Sequence, residues 1–391
     1  MWAGDQSSDW DKGDGFPTVI IGGIALRMCG VPFYGHDVGG YTDTTSAPLT
    51  LELFIRWSQF GALSPIMQIY SMRNITPWSF GDDGVRLYRE FAKLHTQLVP
   101  YTYTMAKIAN STGMPIIRHP FLVHPEDPRT SSDSFSYYYG NSFFVAPFYE
   151  PGGERAIYFP EGENYIDWFT GELYEGGTSI GYSCDLERMP LFVLEGSIIP
   201  MFHPDVDTLA PVSVEIGVEE IVTADLDPDL LVRMYPKSGK VDGFTLYDGA
   251  RITSYAEGGE LDILVRAKRG IDFEVFGEYD VTVNGRRIEV RIANGKTFFT
   301  WDGEIEQPYP EDLSIGSPLS SLTLSPASIP SKWLKTLNDA SSHNIDVGAV
   351  SDSVWGRFSI FKLRLLLPLA SRSLNRLRFR WKYCIRDRSP L

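Results

Sequence analysis

The stretch that decides the fold is VPFYGHDVGGY (31–41), APLTLELFIRWSQFGAL (47–63) and SPIMQIY (64–70). Its first block is a short apolar run that ends in a charged pair and two glycines, the pattern of a buried strand emptying into a loop. In the second, Leu51, Phe54, Ile55, Trp57, Phe60 and Leu63 recur at helical spacing. The third is a short apolar strand. Upstream, PTVIIGGIALRM (17–28) reads as a helical or mixed apolar segment running into the first strand. Downstream, Gly81-Asp82-Asp83-Gly84 reads as a turn from which Asp83 caps a further helix. Val85, Tyr88, Phe91, Ala92, His95, Leu98 and Val99 would share one face of that helix. Pro100 would bend it, and Gly113-Met114-Pro115 would end its continuation. Strand, helix, strand, helix is the signature of an α/β unit with a parallel sheet.

After Ile116 the pattern changes. SYYYGNSFFVAPFY (136–149) opens a series of short aromatic and β-branched runs split by Gly, Pro and Asn, which continues to FVLEGSIIPMFHP (192–204). These are the marks of an antiparallel β region. A second β region follows, where Asn284-Gly285 and Asn294-Gly295 each sit between alternating apolar positions as hairpin turns. The last stretch differs again: from Glu311 onward there are 12 Lys+Arg and 6 Asp+Glu, whereas the whole 391-residue chain carries a net charge of −15. The chain therefore divides into 1–115 (α/β), 116–206 and 207–306 (β) and 307–391, a basic tail. For the tail, a disordered or accidental extension is the preferred reading over a basic amphipathic segment lying on a membrane surface.

Bulk composition excludes several classes. A chain that is 43% hydrophobic and 13% aromatic has ample apolar surface for cores. The acidic balance argues against nucleic acid as the main partner. Cys29, Cys184 and Cys384 are odd in number and widely separated, which points away from a disulfide framework or a zinc site and toward a reducing, cytoplasmic compartment. No basic leader with an apolar run is visible, and no stretch of about 18 apolar residues is present to span a membrane. No metal or cofactor is implied.

The chemistry-bearing residues are few. In WAGDQSSDW (2–10), Asp5 lies between Trp2 and Trp10. Burial against aromatic surface raises a carboxyl pKa, which suits a general acid, and aromatic faces stack on sugar rings. The alternative is a surface-loop carboxylate beside core tryptophans. Asp37 follows an apolar run and precedes Gly39-Gly40, either as a ligand-binding carboxylate at a strand end or as a helix cap or turn residue. His36 reads as a structural donor. Tyr70 and Arg73, after the second strand, would lie near the same face. There is no phosphate-cradling glycine loop and no nucleophile elbow of the hydrolase type.

In order, WAGD with Trp10, YGHDVGGY, SPIMQI, PWSFG, YREFAKLHTQLVPYTYT, GMPIIRHPFLVHPED, YGNSFFVAPF and VRMYPKSGKVDGFTLYDG resemble glycoside hydrolase family 31, over about residues 1–306. The resemblance implies the C-terminal part of a (β/α)8 barrel followed by two antiparallel β-sandwich domains. It implies a retaining α-glycosidase, α-glucosidase-like, acting on an oligosaccharide or α-glycoside without a cofactor. Asp5 would be the acid/base catalyst, and Trp2, Trp10, Asp37, Tyr41 and Tyr70 would line the glycone subsite. Two departures stand out. Tyr70 occupies the place of a histidine that typically bonds sugar hydroxyls. The family's nucleophile lies on an earlier barrel strand, so the chain is expected to be a truncated form that lacks it and turns over little substrate. The rival expectation is a non-catalytic carbohydrate-binding or structural fragment built on the β-domains.

Overall fold

A computed structural model of the chain describes residues 1–42, 48–209 and 229–303. Its first part alternates α1 (Phe16–Met28), β1 (Gly35–Asp37), α2 (Leu51–Ala62), β2 (Ile66–Gln68), α3 (Gly81–Gln97) and α4 (Val99–Thr112). β1 and β2 pair in parallel, with Asp37 opposite Gln68. Trp2 bridges Gly35 in parallel on the other side, and Ala3 N–H donates to Gly35 O at 3.0 Å, so residues 1–3 form a third strand of the same sense. Thr50 caps α2 by accepting from the Leu53 N–H at 3.2 Å. One face of α2 is closed off by Leu53, Phe54, Trp57 and Phe60, all fully or almost fully buried.

The third helix departs from expectation in two ways. It starts at Gly81, behind a short 3₁₀ turn at Pro77–Phe80, so Asp83 sits inside the first turn and pairs with Arg86 at 3.2 Å rather than capping. Its buried face is Gly84, Leu87, Phe91 and Leu94, while Val85 is exposed. Leu87, Phe91 and Leu94 are four and three residues apart and stack on one stripe; Val85 lies two residues from Leu87, about 200° around the helix. Nor does Pro100 bend a continuous helix. Leu98 ends α3, and α4 begins afresh with Pro100 in its first turn. Gly113, at φ 79°, ends α4 as anticipated.

The proximal β part holds β3 (Ile117–Arg118), β4 (Tyr137–Tyr139), β5 (Phe143–Val145), β6 (Glu154–Tyr158), β7 (Asn164–Asp167), β8 (Leu173–Glu175), β9 (Ser179–Ser183) and β10 (Leu191–Leu194). Six of these make an antiparallel sheet in the order β3-β4-β5-β10-β7-β8, and β6 and β9 pair as a separate ribbon. Phe144, Tyr165 and Phe192 of the sheet share one core with Ile157, Phe159 and Tyr182 of the ribbon side.

At Glu195-Gly196 the chain leaves this sheet. β11 (Ser197–Phe202) pairs along its length with β12 (Leu230–Tyr235), so residues 197–202, grouped with the proximal region by a division at 206, hydrogen-bond into the distal sheet. β11 is an edge strand, which is why it tolerates Pro200. The rest are β13 (Val241–Thr245), β14 (Arg251–Glu257), β15 (Glu260–Arg266), β16 (Ile271–Phe276), β17 (Asp280–Val283), β18 (Arg286–Arg287), β19 (Arg291–Ala293) and β20 (Lys296–Trp301). They form two five-stranded sheets, β11-β12-β16-β20-β19 and β13-β14-β15-β17-β18. These are not wholly antiparallel as expected: β12 with β16 and β15 with β17 run parallel. Period-two alternation fixes which face a side chain takes but not the sense of its neighbour. The two hairpins do form. Asn284 and Gly285 have φ 50° and 80°, and Asn294 and Gly295 have φ 51° and 70°, the left-handed pair a two-residue turn requires. The tail at 307–391 lies outside the described residues. Among those described, no helix is long and apolar enough to cross a membrane.

Candidate active site at the ends of three parallel strands

The C-terminal ends of the three parallel strands carry Asp5, Asp37 and the Gln68–Tyr70 segment. Pairing continues past the strands and holds these ends together. Val38 N–H donates to Gln68 O at 2.9 Å, Tyr41 N–H to Gln6 O at 2.9 Å, and Met72 N–H to Tyr41 O at 2.9 Å. At the centre is Asp37, 3% exposed. Gln68 Nε2 donates to its Oδ1 at 2.9 Å, and the Trp2 side chain is a second hydrogen-bonding partner. Burial pushes the Asp37 carboxyl up; the bonds from Gln68 and Trp2 pull it back, and the nearby charge of Asp5 pushes it up again, leaving it above the ordinary aspartate value. Tyr41 and Tyr70 stack with ring centroids 5.6 Å apart and planes 26° apart. Tyr70 is 63% exposed, so the pair offers an open aromatic surface beside the two carboxylates.

The structure thus brings together Asp5, Trp2, Asp37, Tyr41 and Tyr70. Trp10 does not join them: it packs edge-on against Phe16 at 5.7 Å, on the side of the core. Asp5 is exposed rather than held between two tryptophans, because Trp2 is engaged with Asp37 and Trp10 with Phe16. Gln68 is the member that reading by residue type passed over. Its signal was a lone amide inside an apolar strand, at the register position that faces Asp37.

Next to Asp37, His36 serves the frame. It is fully buried, accepts from Trp57 Nε1–H at 3.1 Å on Nδ1, lies 3.3 Å from Ser64 Oγ on Nε2, and stacks on Phe60 at 4.8 Å. With Nδ1 as acceptor, the proton sits on Nε2 and is donated to Ser64. Burial drives its pKa down to about 3, so the ring is neutral.

Gly40 sets how closely the first two strand ends approach. Its φ is 87°, and a Cβ there would lie 2.9 Å from both the N and Cα of Ser8. Gly40→Ala is therefore expected to cost about 2–3 kcal/mol and to spread the Asp5 and Asp37 loops apart. Thermal unfolding with a crystal structure of the variant checks both effects.

Parallel strands linked by helices, with acidic and aromatic side chains at their C-terminal ends, are the pattern of part of a β/α barrel, followed along the chain by β domains. Residues 1–105 match the TIM-barrel domain of glycosyl hydrolases family 31, and residues 113–199 match the family 31 C-terminal domain. The chain belongs to glycoside hydrolase family 31. Alpha-glucosidase 2 of Bacillus thermoamyloliquefaciens is 31% identical over 275 residues, 69% of this chain and 32% of that protein. The sulfoquinovosidase of Escherichia coli is 31% identical over 196 residues, 49% of this chain and 29% of that one. Among solved structures, a family 31 dextranase of Flavobacterium johnsoniae complexed with glucose superposes with a TM-score of 0.60 at 27% identity, over 71% of this chain and 37% of that one. The chain spans about a third of the length of these proteins.

Proposed function

We propose that the three strand ends are the acid/base and glycone-binding side of a retaining α-glycosidase site. The observation that carries this is the convergence of Asp5, Asp37, Trp2 and the Tyr41–Tyr70 stack at the C-terminal ends of adjacent parallel strands. Asp5 reaches open space and is the group placed to give a proton to a leaving glycosidic oxygen. Asp37, fixed by Gln68 and Trp2, accepts hydrogen bonds from glycone hydroxyls with whatever acceptor capacity those two donors leave. The tyrosine stack gives the sugar an apolar surface in the place where the family resemblance leads one to expect a histidine. Retention calls for a carboxylate nucleophile about 5–5.5 Å from the acid. Asp37 is already committed to its two donors, and we place the nucleophile on barrel strands other than these three.

The substrate class is an α-glycoside: the relatives are named for α-glucosides, α-xylosides and sulfoquinovosides. Hydrolysis of aryl α-glycosides of these three sugars, by the chain supplied with the remaining barrel strands, is the test. Turnover is expected to depend on Asp5, with Asp5→Ala lowering kcat by about 10²–10⁴-fold, the usual contribution of a general acid. Turnover indifferent to Asp5→Ala would overturn the assignment.

A further inference from the structure

An open groove of about 610 Å³ lies away from the barrel strands, on the outer face of the distal sheet. Its volume is inside the range of about 300–1,000 Å³ that small ligands use. Strand alternation explains its lining. Phe273 of β16 and Phe299 of β20 turn inward and stack at 4.7 Å in the distal core. Their neighbours Asp272, Glu274, Phe298 and Thr300 therefore project from the opposite face. The register sets them in two rows, Leu231–Asp272–Thr300 and Arg233–Glu274–Phe298–Arg291.

The polar groups of these rows are fixed in place. Thr300 Oγ1 donates to Asp272 Oδ1 at 2.6 Å, while Asp272 Oδ2 faces His203 Nε2 at 3.7 Å, beyond direct bonding distance. Glu274 accepts from Arg233 Nε at 2.9 Å and from Lys296 Nζ at 2.6 Å. Burial pushes its carboxyl up, but the two cations more than offset this and hold it below the ordinary value. The Arg291 guanidinium lies 4.4 Å from the centre of the Phe298 ring and forms one wall with it.

We propose that this groove is a second, non-catalytic saccharide-binding site. Its chemistry selects a neutral hydroxyl-rich ligand. The carboxylates of Asp272, Glu274 and Glu289 are matched in number by the lining Arg291 and by Arg233 and Lys296, which both bond Glu274, so the site is close to neutral and favours neither a free anion nor a free cation. A sugar hydroxyl both donates and accepts: it can donate to Asp272 and accept from His203 or Arg291. The apolar side chains of Leu231, Val290 and Phe298 suit the C–H faces of a pyranose. The proposal goes beyond the barrel site and depends on the glycosidase reading only for the choice of probe.

Isothermal titration of the full chain with isomaltotriose tests it, using Asp37→Asn to disable the barrel site and an Arg291→Ala/Thr300→Val double variant to disable the distal one. Both altered distal residues are exposed on the sheet surface. The expected result is a binding event that survives Asp37→Asn and weakens by at least about tenfold in the double variant, roughly 1.4 kcal/mol. In wild-type protein, the amides of Phe298–Trp301 should shift on titration, which keeps the test decisive if the double variant folds poorly. Binding that vanishes with Asp37→Asn, or that is unchanged in the double variant, overturns the distal site and leaves the barrel reading standing. Absence of binding altogether overturns the distal site as well.

Discussion

Arg56→Ala is expected to cost about 3–5 kcal/mol of folding stability, a large share of the roughly 5–15 kcal/mol that holds a typical domain folded. Arg56 lies on α2 and is 2% exposed. Its guanidinium donates to the backbone carbonyls of Cys184 at 2.8 Å, Arg188 at 2.9 Å and Asp185 at 3.1 Å, and to Gln59 Oε1 at 3.1 Å. It also lies 4.4 Å from the centre of the Phe148 ring. Gln59 reinforces the clamp by donating to Leu186 and Arg188 carbonyls. One cation thus ties the barrel helix to the loop that feeds β10. Burial lowers its pKa, with Cys184 and nearby acidic groups acting in the opposite sense. Truncation would leave the Cys184 and Asp185 carbonyls without their shared donor, each costing about 1–3 kcal/mol where water cannot replace it, while the Arg188 carbonyl keeps Gln59. Arg56→Lys keeps the charge but loses the planar fork, and about 2 kcal/mol should go with it. Denaturant unfolding followed by hydrogen exchange over 184–192 measures both; an alanine variant as stable as the parent would refute the clamp.

Acid is expected to unfold the barrel part through His36. Its folded pKa of about 3 lies below the ordinary value of 6.5. Between these two values the unfolded chain takes up a proton that the folded one refuses. The stabilisation is therefore complete above about pH 6.5 and is lost as pH falls toward 3, at about 1.4 kcal/mol per pH unit. His95, whose pKa burial also lowers, contributes with the same sign. His36→Gln can still accept from Trp57 and donate to Ser64 but does not titrate. The variant should be less stable than the parent at pH 7, with a shallower decline between pH 6.5 and 4. Parallel slopes for the two proteins, measured by urea unfolding across that range, would remove His36 as the origin.

Much of the fold could be read from local patterns. Apolar residues at helical spacing located α2 to within a residue, and the apolar run ending in His36-Asp37 located β1. The Asn-Gly pairs placed two hairpins because few sequences tolerate two consecutive positive φ angles. The third helix shows the limit. Its apolar residues permit more than one stripe, and packing chose Leu87, Phe91 and Leu94 over Val85.

The site divides along the same line. Sequence alone determined that Asp37 and Tyr70 follow short apolar strands, because strand period and glycine-rich loops are local properties; that Asp5 also follows a parallel strand came from the pairing of Trp2 and Ala3 with Gly35. Sequence did not determine which of those side chains meet. That Trp2 serves Asp37, that Gln68 completes the carboxylate and that Tyr41 stacks on Tyr70 depend on register between strands some 30 residues apart, and that Trp10 turns to Phe16 depends on how α1 packs. The same holds for β11, whose composition suits either β domain until it is paired with β12. Propensity and periodicity act over a few residues, whereas hydrogen-bond partners, burial and charge environment are set by neighbours that only tertiary packing brings into contact.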